Sequence, residues 1–127
     1  MTAPVGGSYA HARLTQLIST STPPASLSSD RTSLRAARSG LYLVTVKGVV
    51  YDAAQGDLVH LSLLQDGQGD PRVNVQAAVQ SNWDQVSGSE VVRLEPSQVL
   101  RLGYRCEQGG GSKVNSGATL CLTYLGA

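Results

Sequence analysis

Phenylalanine is absent from this sequence of 127 residues and tryptophan occurs once, so aromatic residues make up only 5% of it. The core must therefore be mainly aliphatic, with five tyrosines and Trp83 as its only rings. Cysteine and histidine occur twice each. Cys106 and Cys121 cannot make a disulfide framework, and they read as small buried hydrophobes in a reduced compartment. His11 and His60 fall in different segments, with no Cys, His or carboxylate at metal-ligand spacing. Charged residues are 15% and the formal net charge is +1, which leaves no basic stripe for nucleic acid. No apolar run is long enough to span a bilayer, and residues 1–7 lack the basic and apolar regions of a signal peptide. Asn74, Asn82 and Asn115 are each followed by the wrong pattern for a glycosylation acceptor. These absences predict synthesis in a cytoplasm, with neither membrane nor nucleic acid as a partner.

What remains is rich in Val, Leu and Thr, with 14 glycines, a balance that favours strands over helices. Residues 1–8 are small and glycine-rich and read as an extended N-terminal arm; residues 9–127 read as one domain, large enough to bury a core without staples. Tyr9 to Thr20 reads as an edge strand, stopped by Pro23-Pro24. Thr32 to Ala36 forms a strand before the turn at Ser39-Gly40. Gly40 to Tyr51 is nearly continuous in apolar character, as in a central strand buried on both faces. Asp57 to Leu64 alternates, with Val59, Leu61 and Leu63 toward the core and Leu58, His60, Ser62 and Leu64 away from it. An Asp66-Gly67 turn leads to a strand with Val73, Val75, Ala77 and Val79 inward. A loop over 81–85 is followed by strands at 89–94, 99–106 and 118–125. Short strands at regular spacing, parted by Gly, Pro and Asp turns, predict a sandwich or jelly roll.

Little in the chain points to catalysis or metal binding. Asp66-Gly67-Gln68-Gly69-Asp70 lacks the spacing and terminal Glu of a calcium loop, and a hairpin turn explains it. Gly109-Gly110-Gly111-Ser112-Lys113 has the wrong order for a phosphate loop and precedes a strand instead of a helix. No Gly-x-Ser-x-Gly elbow exists. Arg31, Arg35 and Arg38 are better read as a solvated edge than as an anion site. No catalytic, cofactor or metal residue is assigned. Trp83, with Asp84 beside it, is the one candidate for binding a partner protein or a sugar, with an end-cap of the sandwich as the equally weighted alternative.

Several segments resemble the C1q/tumour-necrosis-factor-like superfamily. Ser39-Gly40-Leu41-Tyr42-Leu43-Val44 resembles its Gly-x-Tyr-hydrophobic third strand, and Leu58 to Gly67 its following strand and turn. Ser87 to Val99 resembles the family's Gly-x-Val pair of strands, although Ser97-Gln98 replaces the usual Gly-Asp. Ser116-Gly117-Ala118-Thr119-Leu120 stands where the terminal strand begins, with Leu120-Cys121-Leu122 lacking the family's aromatic residue. The resemblance implies an all-β jelly-roll β-sandwich of about eight to ten antiparallel strands that trimerises through one sheet. By the same analogy Thr45, Leu120 and Leu122 are candidates to line the trimer axis, with ordinary core residues as the plainer reading. Together these features lead to the expectation of a non-enzymatic homotrimer on a virion surface. The form expected is a bacteriophage capsid decoration protein or a head or tail spike, bound to other virion proteins and made in the host cytoplasm. The alternative is a C1q-like module that recognises a receptor or glycan.

Overall fold

The computed structural model describes residues 9–51, 56–78, 83–107 and 113–127. The arm expected over 1–8 lies outside the described residues. Ten strands follow in order: β1 (Ala10–His11), β2 (Arg13–Ser19), β3 (Ser26–Leu27), β4 (Leu34–Arg35), β5 (Gly40–Tyr51), β6 (Leu58–Gln65), β7 (Val73–Ala78), β8 (Trp83–Leu94), β9 (Leu100–Cys106) and β10 (Lys113–Gly126). They form two sheets. Sheet A has the order β2-β10-β5-β8, and sheet B has the order β3-β4-β9-β6-β7 with β1 also paired to β9. Most neighbours are distant in sequence, and the chain alternates between the sheets as it runs. With this strand order the protein is a jelly-roll β-sandwich.

Side-chain alternation explains the layering. Along β5 every second residue, from Gly40 to Val50, is buried. On β6, Val59, Leu61 and Leu63 enter the interior. Tyr42, Val44, Val46, Val50, Leu94, Leu100, Leu102, Leu120 and Leu122 complete most of the aliphatic core. Gly67 takes the positive φ (85°) that the Asp66-Gly67 turn requires. The pairs are antiparallel except β2 with β10. That exception follows from the route of the chain: β1 pairs with β9 in sheet B, Ala12 N–H donates to the Leu102 carbonyl, and the chain then crosses to the edge of sheet A.

Two readings of the sequence need adjustment. β5 is central, between β10 and β8, but only one face of it is fully buried; the other is half-buried or exposed. That second face is the outside of sheet A. Trp83, Asp84 and Gln85, read as loop, belong to β8, where they pair with Tyr51, Val50 and Val49 of β5. The loop reading gave weight to the polar residues here, whereas a full-length partner strand satisfies their backbone.

Candidate functional site

The outward face of sheet A is organised by the strand register. Across the sheet one row runs Gln16, Thr119, Lys47, Ser87; the next Ile18, Cys121, Thr45, Ser89; the next Thr123, Leu43, Val91. Leu41 and Arg93 pair beyond these, and Leu125 sits in the bulge between Tyr124 and Gly126, beside the Gly126 pairing with Leu41. Polar residues thus gather at one end and apolar ones at the other. The large hydrophobic side chains exposed among the described residues are Ile18 (43%), Leu41 (37%), Val91 (53%) and Leu125 (53%). All four lie on this one face. Scattered exposed hydrophobics are ordinary, but their confinement to one side of one sheet marks an interaction surface.

The residues singled out from the sequence divide accordingly. Thr45 stands in the middle of this face and its hydroxyl is 2.8 Å from that of Ser89. Leu120 and Leu122 have no exposed surface and point into the core, so within this chain they are core residues. Their outward neighbours are Thr119, Cys121 and Thr123. A shift of one residue moves a strand side chain to the opposite face, and Thr119, Cys121 and Thr123 pair with the outward Lys47, Thr45 and Leu43 of β5. The Trp83 side chain lies outside the described residues. Asp84 accepts the Gln85 backbone N–H through Oδ1 (2.8 Å).

A second cluster lies on the outward side of sheet B. His60 and Ser62 are buried there (2% and 0% exposed) although they face away from the core. His60 Nε2 is 2.9 Å from Glu107 Oε1 and Nδ1 is 3.3 Å from Asn74 Oδ1. Ser62 Oγ donates to the same Asn74 oxygen (2.6 Å) and reaches Tyr9 Oη at 3.5 Å. Arg105 Nε donates to Tyr9 Oη (3.3 Å), with its guanidinium carbon 5.8 Å from the Tyr9 ring centroid. Ser, His and Glu are all present, but the serine hydroxyl is bonded to Asn74 and not to the imidazole, and it is closed to solvent. The nucleophile–base contact that acyl transfer requires is not made. The network ties β6, β7, β9 and the segment entering β1 together, and satisfied polar groups of this kind fix packing. Sequence alternation placed His60 and Ser62 outward; their cover comes from residues distant in the chain, which alternation cannot reveal.

Other candidates are committed elsewhere. Asp66 forms a two-pronged pair with Arg101 (3.0 and 3.3 Å). Neither Cys106 nor Cys121 is in a disulfide. Among the described residues no three His, Cys, Asp or Glu side chains are grouped to hold a metal ion. No protein-family model matches the sequence, and no curated protein matches it. Among solved structures, the chain is similar to the crystal structure of murine APRIL at pH 5.0, with 12% identity and a TM-score of 0.47. The match covers 67% of this chain and 65% of that one.

Proposed function

We propose that the protein is a non-enzymatic assembly module that forms a homotrimer through the outward face of sheet A. The observation that carries this reading is the gathering of Ile18, Leu41, Val91 and Leu125 on that face, alongside serines, threonines, Leu43 and Cys121, with Lys47 and Arg93 as its charged members in these rows. Covering it removes apolar surface from water, the main driving force of association. The serine and threonine hydroxyls in the middle rows supply hydrogen bonds at an interface that carries little charge. Around a three-fold axis, three copies of one sheet face close on themselves and leave no apolar surface open.

The finer reading is a virion component, a bacteriophage capsid decoration protein or a head or tail spike. A small β-sandwich that covers the outward face of sheet A by trimerising keeps its other surfaces free to bind a shell. Sedimentation velocity at micromolar concentration tests the assembly. A trimer is expected for the unaltered chain and a monomer for Val91→Asp; a monomeric unaltered chain defeats the proposal. Co-sedimentation with purified phage heads lacking decoration tests the virion role separately, since a trimer that never binds such a shell keeps the assembly and loses the location.

A further inference from the structure

At the end of the sandwich where β6 finishes and β9 begins, an open cleft of about 470 Å³ is lined by Gln65, Gln68, Asp70, Pro71, Arg72 and Gln98. Two of its amides have fixed orientations. The Glu95 backbone N–H donates to Gln98 Oε1 (2.9 Å), and Arg72 Nη1 donates to Gln65 Oε1 (3.1 Å). Neither donor can act as an acceptor, so the amide oxygens are spoken for and each Nε2 group remains a donor. No protein acceptor takes either Nε2 among the described residues. Arg72, the cation among the lining residues, donates to two neutral acceptors, Gln65 Oε1 and the Arg93 carbonyl, and so keeps its charge beside the Asp70 carboxylate. Asp70 makes no ion pair among the described residues, and its carboxylate is exposed at the mouth.

The lining therefore offers oriented neutral donors, one guanidinium balanced by one carboxylate acceptor, and the apolar ring of Pro71. An anionic ligand would meet the Asp70 carboxylate, and a cation would leave the amide donors unmatched. A ring bearing adjacent hydroxyls satisfies both, because each hydroxyl donates one hydrogen bond and accepts others. We propose that this cleft binds a neutral saccharide, with Asp70 accepting from ring hydroxyls and the Gln65 and Gln98 amides donating to ring oxygens. The site is built by one chain and does not depend on the assembly through sheet A.

The test is a titration of the isotope-labelled full chain with methyl β-galactoside, methyl α-mannoside and N-acetylglucosamine, followed through the side-chain amide signals. Saturable shifts of the Gln65 and Gln98 amides are expected with at least one of these sugars. No saturable shift at tens of millimolar overturns the proposal, as does a response to sodium sulfate with none to the sugars. The variant carrying both Gln65→Glu and Gln98→Glu keeps acceptors for Arg72 and for the Glu95 N–H, so the turns survive, while both outward donors become acceptors. Sugar affinity is expected to fall about tenfold, the scale of the two lost hydrogen bonds. An unchanged affinity in a variant with an otherwise native spectrum also overturns the site.

Discussion

The single most constrained residue is Tyr104. It starts from sheet B, has no exposed surface, and reaches sheet A beside Gly48, where an added Cβ would collide with its hydroxyl. The β-bulge between Val114 and Ala118 interrupts the β5–β10 ladder at Val49, and the phenol fills the gap. Its oxygen takes a backbone hydrogen bond from Val49 while its O–H donates to the Gly117 carbonyl (3.4 Å). Gly48→Ala is expected to destabilise the fold by about 1–3 kcal/mol, the usual cost of overpacking. Adding Tyr104→Phe should recover part of that loss, which a double-mutant cycle by chemical denaturation would show. Burial pushes the Tyr104 phenol up to about 12, with the Val49 hydrogen bond opposing. The folded state thus holds this proton where the unfolded chain has released it, so stability is intact below about pH 10 and falls between there and about pH 12. Tyr104→Phe should flatten that alkaline decline; an identical decline in the variant would show that other groups cause it. The two thiols differ by the same reasoning. Burial, reinforced by the Asp57 carboxylate and a hydrogen bond to it, pushes the Cys106 thiol up, whereas Cys121 is half-buried on the face of sheet A. A maleimide reagent is expected to label Cys121 and spare Cys106 in the native protein, read by mass spectrometry.

Elements are held at their edges by specific devices. β2 borders sheet A and would present an open strand edge, but Arg31 closes part of it. Its carbonyl accepts the Leu14 N–H (2.8 Å), and its guanidinium donates to the carbonyls of Leu14 (2.6 Å) and Thr15 (3.1 Å). Arg31 achieves this with φ at 62°, an uncommon conformation for a residue with a side chain. The turn around it is fixed by Asp30, whose Oδ1 accepts from Ser28 Oγ, Thr32 N–H and Thr32 Oγ1. Those bonds, Ser28 first, hold the Asp30 carboxyl down to about 2. The turn is therefore expected to loosen only as pH falls from about 4 toward 2, visible as faster amide exchange at Leu14. Arg31→Ala should cost about 1–2 kcal/mol through the lost hydrogen bonds and raise aggregation on heating. Unchanged aggregation would deny the edge-sealing role. The sequence showed three arginines in this stretch and a solvated edge explained them; that Arg31 alone turns inward along β2 depends on a backbone conformation that no local pattern announces.

At the scale of the molecule, the apolar face of sheet A organises the prediction. If three copies close on it, Cys121 becomes covered, so its maleimide labelling should slow as protein concentration rises and should lose that dependence in Val91→Asp. Concentration-independent labelling would argue against association through this face. Much of the sandwich was legible beforehand. Strand period, Gly/Pro/Asp turns and the apolar run of Gly40 to Tyr51 follow from side-chain alternation and turn chemistry, which act between near neighbours in the chain. The closing strand was legible as a strand but not as a surface. Its residues 118–125 alternate, with Ala118, Leu120, Leu122 and Tyr124 at one parity and Thr119, Cys121, Thr123 and Leu125 at the other, and the register with β5 turns the first set inward. What that pattern leaves open is whether the second set is covered. The cleft at the sandwich end was hidden for a related reason: its glutamines and Asp70 come from separate turns, and their orientations are fixed by Arg72 and the Glu95 backbone. The sequence by itself thus determined the layers, because burial follows a two-residue period within each strand. Which faces stay open, and which polar groups converge on them, was decided by the tertiary structure, because register, bulges and strand order join residues that no local period connects.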